Sequence, residues 1–318
     1  MNTVEGKAWR ILANAKEIGP RTLWRIADYL AQEGKPASWL LRDARKIEDL
    51  INKNRVGAAK PVFFEQPNGE ATQSGKGQIT VIYPLHPGFP PAIKILKDEF
   101  SLPALLYVWG NMAILSRPAV AIIGRRNAGK GELEAAAALA SELASHGVNV
   151  VSGYAAGIDT AAHLAALRAN GTTSVILAEG ICRFQAKPEL KDHLTADNTL
   201  VISQFTPDAR WAAYMAMTRN KLIGALSGAL VVIASGPERD AGKKNSGTFN
   251  AAISSLKMRI PVFVAVPSFF SDPPAGNGQL IAKGGRAWDP AEGAEPVLTA
   301  LSSLVQKTPG QLPLFPEE

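Results

Sequence analysis

Residues 124–131, with the sequence GRRNAGKG, combine glycines with fixed positive charge directly after an apolar run. The spacing of Gly124, Gly129 and Lys130 matches the phosphate-binding loop G-x-x-x-x-G-K of nucleotide hydrolases. In that loop a following Ser or Thr holds magnesium, whereas Gly131 offers no hydroxyl here. We therefore predict an anion site made by backbone N–H groups and guanidinium groups, without ATP hydrolysis. The candidate contacts in this segment are Gly124, Arg125, Arg126, Asn127 and Lys130.

A second glycine-containing segment, 151–159, reads VSGYAAGID and precedes a helical pattern that carries His163. Its glycines favour a tight strand-to-helix turn, where a phosphate or a sugar can approach the backbone closely. Asp159 can cap that helix or contact a ligand, and the sequence leaves both roles open. His163 is more typical of a packed helix residue than of a catalyst. The candidate contacts are Ser152, Gly153 and Gly157.

Two later segments add basic and polar side chains near predicted strands. Residues 218–221, TRNK, lie just before an apolar strand, and we predict a loop that offers positive charge and an amide group. Residues 243–248, KKNSGT, form a glycine-containing loop that leads into a helix. Each segment alone is a weak indication of function. The candidate contacts are Arg219, Asn220, Lys221, Lys243, Lys244, Ser246, Gly247 and Thr248.

Strands and helices alternate along most of the sequence, and their order indicates an α/β fold. The apolar runs at 119–124 and 229–234 are typical of strands covered on both faces. We predict an extended Rossmann-like, doubly wound, mostly parallel sheet, whose strand ends bring the four polar segments into one crevice. The predicted strands are 79–82, 105–110, 119–124, 148–152, 173–177, 201–203, 229–234 and 261–266.

The chain divides into four predicted parts. Residues 1–56 have helical periodicity and form a small N-terminal helical domain. Residues 57–78, rich in Gly, Pro, Asn, Gln and Ser, form a linker or mobile insertion with a short strand candidate at 62–64. Residues 79–306 form the extended Rossmann-like domain, and the proline-containing residues 307–318 form a flexible tail.

The composition of the 318 residues narrows the class of protein further. The net charge of +6 favours polyanionic partners such as nucleic acid. The single cysteine, Cys182, excludes an intramolecular disulfide, and with only four histidines we predict no metal site. No run of the sequence is long enough for a membrane span, and residues 1–19 lack the pattern of a secretion signal, so we predict a cytoplasmic protein without membrane contact.

Three motifs in a fixed order carry a family resemblance: 117–126, RPAVAIIGRR; 152–163, SGYAAGIDTAAH; and 219–227, RNKLIGALS. Together they resemble the DNA-processing protein A family (DprA/Smf), and the similarity extends to 105–110 and to the helical beginning of the chain. The resemblance implies an extended Rossmann domain that binds single-stranded DNA in a basic pocket and forms a homodimer. It also implies delivery of the strand to the recombinase RecA during natural transformation or recombination. It implies neither an enzymatic activity nor a cofactor.

The sequence departs from the family pattern at several positions. Arg125 stands where the family has Ser, and Ala156 stands where the family usually has Arg, so we expect one phosphate contact to be missing. Ala216 and Met217 replace a Phe-Pro pair, and we expect the loss of a base-stacking platform. Lys221 replaces an Arg. We also expect that the C-terminal winged-helix domain of many members is absent. Together these departures indicate a divergent member.

Among the candidate contacts, we expect Arg126 and Arg219 to contribute most, because arginine can hold a phosphate through two parallel hydrogen bonds. Arg219→Ala is expected to weaken DNA binding and to leave thermal stability nearly unchanged. The alternative function is a nucleotide-binding sensor, or a nucleoside-monophosphate-processing enzyme of a related Rossmann-type family, in a defence role. Such an enzyme needs a carboxylate beside a Gly-Gly-x-Gly-Thr loop, and residues 246–248, SGT, are not followed closely by a Glu.

Residues 311–315, QLPLF, resemble the short peptide with which bacterial proteins dock onto the replicative sliding clamp. Gln311 suits a small polar pocket, and Leu314 with Phe315 suits a hydrophobic one. These apolar side chains can instead fold back onto their own domain or onto a dimer mate. The segment Gln311–Phe315 therefore predicts either a clamp contact or a structural one.

Overall fold

A computed structural model of the chain describes residues 3–15, 18–42, 78–239 and 246–306. Nearly all of the predicted linker 57–78 lies outside these ranges, together with its strand candidate at 62–64. The tail 307–318 and the candidate contacts Lys243 and Lys244 also lie outside the described residues.

Within the described residues, nine strands form a single sheet. They are β1 (Thr80–Ile82), β2 (Leu106–Gly110), β3 (Ala119–Gly124), β4 (Asn149–Ser152), β5 (Thr173–Ile176), β6 (Thr199–Ser203), β7 (Ala229–Ala234), β8 (Val262–Ala265) and β9 (Arg286–Trp288). Their order is β1-β2-β6-β5-β4-β3-β7-β8-β9. β2 is antiparallel to both of its neighbours, and every other pair is parallel.

The order of the strands places a switch point beside β3. The chain runs outward from β3 through β4 and β5 to β6, and then returns to set β7 against the other side of β3. The register pairs Val120 with Val150 of β4 on one side and with Ala229 of β7 on the other. In doubly wound sheets, ligands bind where the strand order reverses in this way, outside the carboxyl ends of the strands.

Helices cover both faces of the sheet. They are α1 (Val4–Asn14), α2 (Pro20–Glu33), α3 (Ala37–Leu40), α4 (Pro91–Phe100), α5 (Lys130–Ser145), α6 (Ile158–Arg168), α7 (Ala213–Ala225), α8 (Gly247–Lys257), α9 (Asn277–Ala282) and α10 (Glu295–Gln306). One face packs against α5, α6 and α10, and the other packs against α4, α7 and α8. Along β3, Val120 and Ile122 belong to the first core, whereas Ala121 and Ile123 belong to the second. β3 is therefore buried on both faces, which explains its unbroken apolar sequence.

The N-terminal helices share a core with the sheet. The Trp9 ring of α1 stacks on Tyr83 with ring centres 5.5 Å apart. The indole N–H of Trp24 in α2 donates to the carbonyl of Leu102 at 2.9 Å, and both side chains belong to the core of the second face. Aromatic side chains of the helical segment thus anchor it on the residue that follows β1 and on the residues that follow α4.

The predicted doubly wound, mostly parallel fold is confirmed. All eight predicted strands are present, and their ends differ from the prediction by at most two residues. β9 is not predicted, because it has only three residues and Arg286 and Ala287 are exposed, which gives no apolar run. A long apolar strand can be recognised from its own residues, whereas a short edge strand is defined mainly by its hydrogen bonds to the neighbouring strand.

Candidate nucleic-acid interface

The loops that follow β3 and β4 touch each other at the carboxyl edge of the sheet. Gly157, which precedes α6, has a φ of +78°, a conformation that favours glycine. A β-carbon at Gly157 would overlap the carbonyl oxygens of Arg125 and Arg126. The backbone N–H of Arg125 donates to the carbonyl of Ala234 at 2.9 Å, at the end of β7. The ends of β3, β4 and β7 therefore converge beside the switch point.

The two neighbouring arginines after β3 have different environments. The Arg125 guanidinium lies 2.7 Å from the Glu132 carboxylate and 3.2 Å from that of Asp272. The hydrogen bond to Glu132 raises the pKa of Arg125 above its ordinary value. Arg126 is exposed, and its guanidinium carbon lies 6.0 Å from the centre of the Trp211 ring. Carboxylates of the protein thus neutralise Arg125, whereas Arg126 lies at the surface against an aromatic ring.

The other predicted contacts of this loop have separate surroundings. Asn127 and Lys130 are exposed, and Lys130 Nζ lies 3.7 Å from the carboxylate of Glu134, one helical turn further along α5. Gly124 packs against Ile158 at the beginning of α6, where a β-carbon would overlap the isoleucine side chain. Gly124 therefore allows close packing of β3 and α6, and Lys130 forms an exposed pair with its own helix.

Three buried polar side chains, Asp159, His163 and Arg219, lie against the loop after β4, and we call them the floor. Gly153 makes room for them, because a β-carbon there would lie 2.5 Å from Asp159 Oδ2 and 2.7 Å from Arg219 Nη1. Arg219 is only 7% exposed, and its Nη1 donates to the carbonyl of Ile176 at the end of β5. Burial raises the pKa of Asp159, and the positive charge of Arg219 opposes that rise.

His163 completes the floor through two hydrogen bonds. Its Nε2 lies 2.6 Å from the carbonyl oxygen of Gly153, and its Nδ1 lies 2.6 Å from Thr173 Oγ1. Burial lowers the pKa of His163 to about 4, so the ring is neutral near pH 7. Because a carbonyl oxygen only accepts, the neutral ring carries its proton on Nε2. Ser152 is equally buried and donates to the carbonyl of Ile122 at 2.6 Å. His163 is thus a packed residue of α6, as predicted.

Lys187, in the loop that follows β5, brings a further positive charge to the same place. Its Nζ donates to the carbonyl of Ala155 at 2.8 Å and to Thr160 Oγ1 at 2.6 Å. Burial lowers the pKa of Lys187, and the charge of Asp159 opposes this effect. The sequence predicts a missing phosphate contact at Ala156, and Lys187 places an ammonium group beside the preceding residue. Lys187 was not predicted, because its loop has no glycine-rich pattern, although it also follows a strand.

The predicted loop at 218–221 is wrong, because these residues lie within α7. They point in different directions from the helix. Arg219 belongs to the floor, and Asn220 Nδ2 donates to the carbonyl of Gly247 at 2.9 Å, which joins α7 to α8. Lys221 Nζ donates instead to the carbonyl of Phe100 at the end of α4, at 3.2 Å. Helical periodicity therefore separates three polar residues that are adjacent in sequence.

The beginning of α8 accounts for the last predicted contacts. Ser246 is the N-cap of this helix, and its Oγ accepts a hydrogen bond from the N–H of Phe249 at 3.3 Å. Gly247 and Thr248 form the first turn, in which Gly247 is exposed and Thr248 is partly exposed. The hydroxyl of Ser246 is thus used by its own helix, as capping requires.

Exposed groups at the same edge form what we call the rim: Arg126, Trp211 and Tyr214. Trp211 is 51% exposed and Tyr214 is 69% exposed, and the two rings stand at the beginning of α7. Neither was predicted as a contact. The available signal was the basic and aromatic pair at Arg210 and Trp211, in a segment that follows a strand.

Two kinds of feature are absent from the part of the chain that the structure describes. None of its helices combines the length and the apolar character needed to cross a membrane. In the same residues, no three His, Cys, Asp or Glu side chains are grouped so that they could hold a metal ion.

Comparison with known families identifies the chain. The sequence model of the family described as DNA recombination-mediator protein A matches residues 80–300, which is more than half of the chain. The chain belongs to the DNA recombination-mediator protein A family. The matched region begins in β1 and ends within α10, so it contains both the floor and the rim.

Relatives of this family share moderate identity with the chain. DNA processing protein DprA of Bacillus subtilis is 31% identical over 196 residues, which cover 60% of this chain and 63% of that protein. DprA of Streptococcus pneumoniae is 29% identical over 193 residues, covering 60% and 65%. Protein Smf of Escherichia coli is 28% identical over 293 residues, covering 89% and 72%. The matches thus span less than two thirds of the length of the first two relatives.

Two solved structures have a similar fold. The X-ray structure of DprA from Streptococcus pneumoniae has a TM-score of 0.70 at 22% identity, covering 93% of this chain and 95% of that one. A structure of DNA processing protein A from Helicobacter pylori, described for its single-stranded DNA binding mode, has a TM-score of 0.57 at 25% identity, covering 75% and 100%. The likeness to the first structure shows that this chain has the same fold.

Proposed function

We propose that this protein binds single-stranded DNA at the carboxyl edge of its sheet, with backbone phosphates at the basic groups around the loop after β4. The observation that carries the proposal is the convergence there of Arg126, Lys187 and Arg219. Burial lowers the pKa of Lys187 and of Arg219, and the charge of Arg126 lowers both slightly further. Among the acids that oppose the burial effect on these two cations, Asp159 has the largest effect on each. An excess of positive charge of this kind attracts phosphate groups.

The three cations lie at different depths, because Arg126 is exposed whereas Arg219 is only 7% exposed. Arg126 supplies the exposed contact, whereas Lys187 and Arg219 contribute charge from more buried positions. Family membership supports the choice of DNA, and the described binding mode of the Helicobacter pylori relative supports the choice of a single strand.

A titration of labelled oligo-dT tests this proposal, in parallel with a duplex of equal length and a panel of mononucleotides at low and moderate salt. We expect oligo-dT to bind more tightly than the duplex, with little sequence preference, because phosphate contacts carry no sequence information. Affinity should fall steeply with salt, because each neutralised phosphate releases counterions. Binding that does not change with salt would contradict the proposal. Saturable binding of a mononucleotide in preference to oligo-dT would favour the alternative nucleotide sensor or nucleotide-processing enzyme.

The proposed cellular role is to protect the strand and to help load the recombinase RecA, in the cytoplasm, during DNA uptake or recombination. Family membership supports this role, because the matched family is described as DNA recombination-mediator protein A. ATP hydrolysis by RecA on long poly-dT should reach its steady rate after a shorter lag when the protein is present. An unchanged lag, under conditions where the protein occupies the poly-dT, would contradict the proposed role in RecA loading but not the proposed binding of the strand.

We further propose that the protein forms a homodimer through its Rossmann-like domain. Sedimentation equilibrium over a wide concentration range should give a mass twice that of one chain. A chain that remains monomeric at the concentrations that bind oligo-dT would contradict the dimer.

A contact with the replicative sliding clamp is a separate proposal for the segment Gln311–Phe315. A synthetic peptide of residues 308–318 should bind purified clamp with modest affinity, because a short peptide loses conformational entropy on binding. The same peptide with Leu314→Ala and Phe315→Ala is the matched control and should not bind. Absence of binding by the unmodified peptide would leave the fold-back alternative.

A further inference from the structure

Three large aromatic side chains of the described chain are strongly exposed, and all three follow strands at the carboxyl edge. Trp211 and Tyr214 come after β6, and Phe269 comes after β8 with 43% of its surface exposed. A single exposed ring needs no explanation, because much of any protein surface is apolar. Exposed rings beside an excess of positive charge are instead typical of proteins that bind single-stranded nucleic acids, because the rings stack on bases while the cations bind phosphates.

Trp211 is the ring best placed for such a contact. Its centre lies 6.0 Å from the Arg126 guanidinium carbon, so one cation contacts the indole and restrains it. About half of the Trp211 surface remains in water, and a planar base could cover it. The charge of Arg126 also acts on the half-buried Lys187 and on the buried Arg219. Trp211 therefore stands beside the exposed member of the basic cluster.

We propose that Trp211, assisted by Tyr214, is a base-stacking platform for the strand whose phosphates contact Arg126. This inference rests on the proposed binding of single-stranded DNA. The sequence predicts the loss of a platform at Ala216 and Met217, and both residues are only partly exposed within α7. The rings at the beginning of α7 occupy a different position and take its place. Stacking on them tolerates every base, because each base has a π-face.

Comparison of two oligonucleotides of equal length, oligo-dT and an abasic deoxyribose-phosphate tract, separates stacking from phosphate contacts. We expect the wild-type protein to bind oligo-dT at least about fivefold more tightly than the abasic tract. Trp211→Ala should lose most of this preference, with unchanged affinity for the abasic tract and an unchanged melting temperature. Trp211→Phe should keep most of the preference, and Tyr214→Ala should reduce it less than Trp211→Ala. Ile95→Ala, at a side chain of α4 that is 60% exposed, is the surface control and should change nothing.

Tryptophan fluorescence provides a second readout that does not depend on the alanine variant. Oligo-dT should quench part of the wild-type emission, the abasic tract should quench less, and Trp211→Phe should lose the difference. A preference for oligo-dT that survives in Trp211→Ala would overturn the inference, as would an equal loss of affinity for both oligonucleotides. If the wild-type protein binds neither oligonucleotide, the proposed function fails, and the stacking platform fails with it. If it binds both equally, strand binding stands and the platform alone is wrong.

Discussion

The floor and the rim contain similar cations at the same edge of the sheet, yet they lie in opposite environments. Arg219 of the floor is 7% exposed, and it interacts with the charge of Asp159 and the carbonyl of Ile176. Arg126 of the rim is exposed, and its guanidinium group lies over the face of Trp211. A charge whose partners are inside the protein contributes mainly to folding, whereas an exposed charge keeps its interactions for a ligand. The degree of burial, more than the type of residue, therefore determines whether an arginine at this edge contributes to folding or to ligand binding.

The largest effect is expected in the floor, from Arg219→Met. The substitution leaves the Asp159 carboxylate buried without its main opposing charge, so the free energy of unfolding should fall by about 3 kcal/mol. Urea denaturation measures this change. From the sequence alone we expected that Arg219→Ala would leave thermal stability nearly unchanged. Because Arg219 is buried, we now expect its substitution to lower stability.

The double variant Asp159→Asn with Arg219→Met is the matched control, because it removes both charges. It should be more stable than Arg219→Met alone, since no uncompensated charge remains buried. A single variant with wild-type stability and a loss of DNA binding alone would break the distinction between floor and rim.

The strands of the sheet could be predicted from the sequence, whereas the division between floor and rim could not. β3 and β7 have unbroken apolar runs, and this local pattern is sufficient to identify a strand buried on both faces. Arg125 pairs mainly with Glu132, seven positions along the chain, and its second partner, Asp272, is 147 positions away in sequence. Lys187 reaches the loop after β4 across 32 positions, and no local pattern reports such contacts. The sequence motifs therefore indicate which edge of the sheet carries the candidate site. Which of its side chains are buried or paired becomes visible only in the three-dimensional structure.

The next effect concerns the pH dependence of stability. Burial lowers the pKa of His163 from its ordinary value of 6.5 to about 4 in the folded chain. Between pH 6.5 and pH 4, His163 is therefore protonated in the unfolded chain but neutral in the folded chain. The free energy of unfolding should fall as the pH decreases through this range, by about 3 kcal/mol in total. Asp159, with its raised pKa, acts in the opposite direction, because the folded chain then binds the proton more tightly.

His163→Gln isolates this contribution, because it keeps a polar side chain and removes the titrating group. Denaturation curves at several pH values should show a flatter dependence between pH 6.5 and 4 in the variant than in the wild-type protein. Parallel curves for the two proteins would show that His163 is not the buried neutral group that the floor requires.

A smaller effect is expected in the rim, from Arg126→Ala. Loss of one phosphate contact should weaken oligo-dT binding by about 1 kcal/mol, or about fivefold, and lower the salt dependence by about one counterion. Fluorescence anisotropy at several salt concentrations measures both quantities, and the melting temperature should not change. Arg125→Ala is the control, because its partners Glu132 and Asp272 belong to the protein. It should lower stability more than affinity, and the reverse ranking of the two arginines would contradict the comparison.

The substitution Lys130→Ala is expected to have no effect on ATP hydrolysis. Gly131 has no hydroxyl for magnesium, and the exposed Lys130 pairs with Glu134 on its own helix. The purified protein should therefore not hydrolyse ATP, and the variant should be indistinguishable from it. Magnesium-dependent hydrolysis that the variant abolishes would show that the loop after β3 is a true nucleotide site.

Hydrogen–deuterium exchange with and without oligo-dT tests the location of the binding site most directly. The carboxyl edge should gain protection in the loops at 124–130 and 204–214, where Arg126 and Trp211 lie. The opposite edge, at residues 226–228 before β7, should exchange equally in both samples. Protection confined to the opposite edge, with no change around Arg126 and Trp211, would contradict the assignment of the strand to the rim.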